Sequence, residues 1–186
     1  VKTLFQILKI SGFCLVLVVG ISIPKAELGT LEIIEETERV TTLPEELSIP
    51  RLNIRAPIEH VGITDGDMAV PNSPETVGWY SFGTKPGDTG SAVLAGHVNW
   101  WGGRDAVFTN LQEMQVGDLV NILNEAGSRD YFIVRDIQKF PLDADTSLVF
   151  SNNEGKTLLN LITCYGTWNE EQNTHEERLV IFTEKI

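Results

Sequence analysis

The sequence predicts an all-β domain, a sandwich or a closed barrel with short helices, behind an apolar N-terminal segment. Three observations carry this. From about Leu47 onward, short apolar–polar alternations are punctuated by Gly, Pro, Asn and Asp, the pattern of strands joined by turns. Residues Ile10 to Ile23 carry no charge and are mostly Val, Leu and Ile, with Lys2 and Lys9 ahead of them. Between the two, Glu27 to Glu46 holds seven glutamates against one arginine.

The first segment, 1–24, has a basic start and an apolar core, the layout of an export signal. Pro24-Lys25 stands where a small-x-small cleavage site would be. Phe13, not a small residue, precedes Cys14, which speaks against a lipoprotein. We expect an uncleaved transmembrane helix anchoring the chain in a membrane as a single pass, N-terminus cytoplasmic and domain outside. A cleaved signal is the alternative. Residues 25–46 read as an acidic linker that holds a domain off an anionic surface, and 47–186 as that domain.

Strands are expected near Leu47–Ile54, Ile58–Val61, Met68–Val70, Gly78–Phe82, Ser91–His97, Asp118–Leu123, Arg129–Lys139, Thr157–Cys164 and Arg178–Thr183. Val107 to Met114 is the best helix candidate outside the anchor. About 140 residues is enough for one core. The formal net charge of −12 argues against a nucleic-acid partner, because phosphate binding needs a basic face. Two cysteines give no disulfide framework, and no Cys/His cluster has zinc spacing.

Cys164 is the only cysteine of the exported part, since Cys14 lies inside the apolar segment. It ends the run Leu158-Leu159-Asn160-Leu161-Ile162-Thr163, and a polar loop follows. An unpaired thiol outside the cell is open to oxidation, so a chain that keeps one at a strand mouth has a use for it. The alternative is a buried cysteine acting as a small hydrophobe. A nucleophilic thiol needs a base or a charge partner. His97 ends another apolar strand, Ala92 to His97, with Gly96 removing bulk beside it; two strands ending at one rim would bring the side chains together. His60 reads as a surface or structural residue, and His175 as a solvated loop histidine and fallback base. Arg178 opens the last strand. If that strand is the antiparallel neighbour of the one ending in Cys164, the guanidinium returns to the same rim and can hold an oxyanion. Its alternative is a surface arginine paired with Glu176 or Glu177. Glu170, Glu171, Glu176 and Glu177 have no recognised calcium-loop spacing, and no metal and no cofactor are expected.

An exported chain with a strand ending Gly96-His97, a strand ending Leu161-Ile162-Thr163-Cys164 and a strand opening Glu177-Arg178-Leu179-Val180 resembles a sortase, one of the cysteine transpeptidases of bacterial cell surfaces. The resemblance covers 47–186 and follows the family's order His, Cys, Arg. Val77-Gly78-Trp79-Tyr80 and Gly90 to His97 are most similar to the class F group. Asn160 departs from a pattern in which many members carry Thr. The resemblance implies a closed eight-stranded β-barrel with a groove leading to the cysteine. It implies Cys164 as nucleophile, His97 as acid and base, and Arg178 as the oxyanion and substrate holder. It implies cleavage of a Leu-Pro-x-Thr-Gly-like sorting signal between Thr and Gly on a secreted protein. The acyl group would then pass to an amine of the cell envelope. Thr163, Leu142 and Val149 are the candidate substrate contacts, the last two in a loop, Phe140 to Lys156, that would wall the groove. Two rival readings are a cysteine peptidase using water as acceptor and a non-catalytic surface β-domain.

Overall fold

The computed structural model describes residues 42–151 and 155–186. The described residues belong to one compact unit, and residues 1–41 lie outside them. The expected anchor over 1–24 and most of the 25–46 linker therefore lie outside them too. Among the described residues no helix is long and apolar enough to cross a membrane.

Eight strands close into a barrel. They are β1 (Pro44–Ile49), β2 (Ile54–Val61), β3 (Val77–Tyr80) and β4 (Gly90–Ala95), then β5 (Leu119–Asn124), β6 (Arg129–Pro141), β7 (Thr157–Asn169) and β8 (Thr174–Lys185). Their order around the barrel is β1-β2-β3-β4-β7-β8-β6-β5, with β5 returning to β1. Most pairs are antiparallel; β2–β3 and β4–β7 are parallel. Closure leaves no free sheet edge.

Alternation along the strands decides which residues fill the barrel. Ala92 and Leu94 of β4, Leu159 and Leu161 of β7, and Leu179 and Ile181 of β8 are all buried in the main core with Leu47, Val77, Ile122 and Phe132. Their sequence neighbours point outward. Val93 and Val180 do so beneath a single-turn helix, α1 (Ser147–Phe150), and pack on its fully buried Val149. Asn160, 1% exposed, faces the same way and donates from Nδ2 to the Val149 carbonyl (2.6 Å), while the Ser91 hydroxyl donates to the Ser151 carbonyl. These bonds hold α1 against the outside of the barrel. That gives Asn160 a task a threonine is too short to perform in the same way.

The expected first strand breaks at Pro50. A 3-10 turn (Pro50–Leu52) and a left-handed Asn53 (φ 53°) separate β1 from β2. The expected helix at Val107–Met114 is instead a chain of tight turns with one 3-10 turn, Leu111–Glu113. Phe108, Leu111 and Met114 recur every three residues and are all buried, and Leu111 and Met114 each bond back three residues (3.1 and 3.2 Å). A period of three suits a 3-10 winding rather than an α-helix. The expected Tyr165–Glu177 loop is shorter than its range. β7 and β8 continue past a bulge between Tyr165 and Trp168, with Gly166 at φ 80°, and pair again at Trp168–His175 and Asn169–Thr174. The bulge breaks the alternation that would have marked the extension.

Gly96 lies where the Val107–Phe108 turn crosses the end of β4. A Cβ there would stand 2.4 Å from the Phe108 ring and 2.8 Å from Val107. Gly96→Ala is therefore expected to destabilise the domain by about 1–3 kcal/mol, the usual cost of overpacking a filled core, measured by urea denaturation. Unchanged stability would mean that the turn shifts freely.

Candidate functional site

Parity places the site. In β4 the outward residues are Val93 and Ala95, which puts His97 next in that series; in β7 they are Asn160, Ile162 and Cys164; in β8, Arg178, Val180 and Phe182. Val93 pairs with Asn160 and Ala95 with Ile162 in the parallel ladder, which continues as a bond from the Gly96 amide to the Ile162 carbonyl (3.1 Å). One step further along both strands come His97 and Cys164. Across the antiparallel ladder, Cys164 is the direct partner of Arg178, and opposite residues have Cβ atoms about 5 Å apart on one face. His97, Cys164 and Arg178 thus meet on the outer surface of the barrel, where β4 ends and β7 approaches its bulge.

The three side chains line one cleft of about 130 Å³. Ala95 and Ile162 form its floor, and Met68, Val70 and Phe150 its apolar walls. Met68 and Val70 come from the β2–β3 connection, where Asp65 and Gly66, both at positive φ, turn a short ladder of Ile63–Thr64 on Asp67–Met68. Two residues with φ > 0 are what a tight hairpin turn needs. Cys164 is a free, half-buried thiol.

His97 is half-buried, with the Trp100 ring edge-on to it at 4.9 Å between centroids. Its Nε2 lies 2.9 Å from the Pro71 carbonyl oxygen. A carbonyl only accepts, so Nε2 carries the hydrogen, and Nδ1 holds the unshared pair of the neutral ring. Pro71 is held in turn through its neighbour. Asn72 donates from its backbone amide and from Nδ2 to Glu59 (both 3.1 Å), and the Thr76 hydroxyl donates to the same carboxylate. Burial pushes the Glu59 carboxyl up, but the bonds from Thr76 and Asn72, with the charge of His97 behind them, outweigh it and hold it below the ordinary carboxylate range. Glu59 and the Pro71 carbonyl escape the sequence reading, because a backbone acceptor has no residue signature and Glu59 is one of many glutamates.

A depressed carboxyl value stabilises the fold above the unfolded value of about 4.3, and the contribution is lost as pH falls through the lower folded value. Glu59→Gln is accordingly expected to be less stable than the parent at neutral pH, and the gap to narrow as pH falls toward 3. Denaturant unfolding across that range checks this. A gap that is constant with pH would mean that the Glu59 charge contributes nothing.

Arg178 is anchored by its own hairpin. Nη1 donates to the carbonyls of His175 and Glu177 (both 3.0 Å), and Nη2 to the Thr174 hydroxyl (3.1 Å). Three of five guanidinium donors are used, leaving two for a ligand. Arg178 takes part in none of the ion pairs among the described residues, so the surface pairing with Glu176 or Glu177 is not what holds it.

Thr163 has the opposite parity to Cys164. It is buried, and its hydroxyl donates to the Gly96 carbonyl (2.7 Å), tying β7 to β4 just below the thiol. Leu142 and Val149 are not brought to this cleft. Leu142 is exposed in a separate concavity with Pro141, Asp143, Gln172 and Glu176, and Val149 is fully buried under α1. Phe150, the next residue, reaches the cleft in its place and packs edge-on to Tyr80. His60 packs edge-on to Trp79, away from the thiol. His175 donates from Nδ1 to the Gly166 carbonyl (2.9 Å), and its Nε2 faces Asn99 Nδ2 at 3.4 Å. The four glutamates near it form no metal-ligating group among the described residues.

A thiol, an imidazole and a guanidinium around one apolar cleft can together form and resolve a thioester. Comparison with known proteins agrees with that chemistry. The Sortase domain family model matches residues 47–186. Sortase D of Bacillus subtilis (strain 168) is 34% identical over 119 residues, 64% of this chain and 52% of that protein, so the chain spans about half the length of the curated relative it matches. Sortase C-1 of Actinomyces oris superposes with a TM-score of 0.59 at 24% identity, covering 76% of this chain and 72% of the other. The lid mutant of sortase A from Corynebacterium diphtheriae superposes with a TM-score of 0.60 at 22% identity, covering 77% and 70%. These structures share the fold. None of the three relatives carries the resemblance to class F.

Proposed function

The chain belongs to the sortase family, and from that premise we propose that it is a cysteine transpeptidase acting on secreted proteins that carry a Leu-Pro-x-Thr-Gly-like sorting signal. The observation that carries this is the meeting of Cys164, His97 and Arg178 around one cleft. In this reading Nδ1 of His97 takes the proton of the Cys164 thiol, and the resulting thiolate attacks the Thr carbonyl of the Thr-Gly bond. The two donors left on Arg178 stabilise the oxyanion. His97 gives its proton to the leaving Gly amine, and a thioester to Cys164 remains. An amine acceptor of the cell envelope then attacks the thioester, His97 takes the amine's proton, and a new amide forms as the thiolate departs. Met68, Val70, Ile162 and Phe150 offer the apolar contact for a Leu-Pro pair. The reading includes an anchor over 1–24 that holds the domain outside the bacterial membrane, a part that rests on the sequence alone.

The test is incubation of the protein with a library of Leu-Pro-x-Thr-Gly-like peptides, with and without triglycine, and mass-spectrometric identification of products. Peptide joined to triglycine at the Thr residue is expected. Cleavage to the free acid alone, even with the amine present, would make the protein a cysteine peptidase. No cleavage together with no labelling by a thiol alkylator would make it a non-catalytic surface domain.

Arg178→Lys is expected to lower activity strongly although charge is kept. One compact ammonium cannot keep three anchoring bonds and also reach a carbonyl oxygen and a substrate group. The loss should fall mainly in kcat if Arg178 serves the transition state, and mainly in KM if it only docks the peptide. Normal values of both would leave the oxyanion to backbone amides near Cys164.

A further inference from the structure

His97 and Val70 border two clefts at once. The first holds the thiol; the second is a wider concavity of about 600 Å³, within the size range of small-molecule sites. Its lining is unusual for a chain of formal charge −12. Trp100, Trp101 and Trp168 supply aromatic faces, Asn72, Asn99 and Asn173 supply carboxamides, and no Lys, Arg, Asp or Glu takes part. Trp101 is 79% exposed and Trp168 47%, a large apolar area that water does not favour. Gly102 and Gly103, both at φ 74°, turn the chain directly after Trp101. Asn173, also at positive φ, sits at the tip of the β7–β8 hairpin.

This lining selects a class of ligand. Apart from the His97 imidazole, a charged ligand finds no counter-ion here. A wholly apolar segment would cover the tryptophans but leave the Asn173 carboxamide, and the groups of Asn72 and Asn99 not already bonded to Glu59 and His175, without partners. A pyranose ring meets both demands. Its C–H-rich face lies against an indole, gaining dispersion and hydrophobic contact. Its hydroxyls exchange bonds with amides, each of which both donates and accepts. An ammonium ion would be drawn to the indole faces, yet it only donates and would leave the Asn173 amide donors unused.

We propose that this concavity is a subsite for an uncharged saccharide, set to hold the sugar portion of an amine-bearing acceptor beside His97. Its role as an acceptor site rests on the transpeptidase reading above; the binding itself does not.

Saturation-transfer NMR on the full chain, with tri-N-acetylchitotriose and maltotriose as probes, tests it. Saturable binding of at least one trisaccharide is expected, with a Kd on the order of 1 mM. A preference between the two would separate acetamido from hydroxyl recognition. Trp101→Ala and Trp168→Ala should each weaken binding by about three- to tenfold, as the loss of one aromatic contact predicts. Both rings are exposed, so folding is expected to survive, and thermal unfolding of each variant checks that it does. Cys164→Ala should bind the sugar unchanged. Binding of neither trisaccharide, or binding that persists in the double tryptophan variant, would overturn the proposal. So would saturable binding of tetramethylammonium with no sugar bound, which would assign the cleft to a cation. Sugar binding by a protein that fails to join peptide to triglycine would keep the subsite and discard the transpeptidase reading.

Discussion

Cys164→Ala is expected to abolish peptide cleavage while leaving thermal unfolding almost unchanged. The thiol sits half-buried on the outer face of the barrel, not among the packed side chains of its interior. Removing one sulfur there opens no closed cavity, so the packing cost is small. The chemical cost is complete, because Cys164 is the only thiol among the described residues. Mass spectrometry of the protein after incubation with peptide should show an acyl adduct in the parent and none in the variant. Cleavage retained by Cys164→Ala would end the thioester mechanism.

His97→Ala is expected to lose about 10²- to 10⁴-fold in kcat/KM, the usual worth of general acid–base catalysis, whereas His60→Ala and His175→Ala stay near the parent in peptide cleavage. The contrast is sharp because all three histidines make definite contacts. His60 lies against Trp79, and His175 is bonded to Gly166 within its own hairpin. Only His97 lines the thiol cleft. Its bond to Pro71 leaves Nδ1 as the nitrogen able to take a proton. A large loss in His175→Ala with a small one in His97→Ala would mean that the wrong imidazole has been assigned. Kinetics against pH for the three variants decides between them.

How far these residues could be read in advance follows from what each depends on. Strand alternation was visible wherever a strand buries one face, so the stretches leading to His97 and Cys164 and the Arg178–Thr183 part of β8 were legible. His97, Cys164 and Arg178 could then be placed on one rim by counting in twos. What stayed hidden depended on tertiary partners or broke the count. The Gly166 bulge concealed the outer half of the β7–β8 hairpin. Phe108, Leu111 and Met114 looked like a helix face, but their spacing of three fits a tighter winding that plugs the barrel. Val149 and Phe150 are adjacent apolar residues, and sequence could not say which would be buried; Asn160 settles it by holding the Val149 carbonyl. Glu59 reaches His97 through its charge and through Asn72 and a backbone oxygen, none of which leaves a mark in the sequence.

The mixed ladder on either side of β7 has a consequence for how the site comes into being. Cys164 and Arg178 face each other across a hairpin, so this half can assemble from neighbouring stretches of chain. His97 arrives from a strand that runs parallel to β7 and far from it in sequence. Parallel partners cannot be joined by a short turn, and such distant pairings form slowly. A chain in which only this hairpin has formed therefore carries its thiol opposite Arg178 but without His97. On the proposed mechanism the nucleophile gains its base only when the barrel closes.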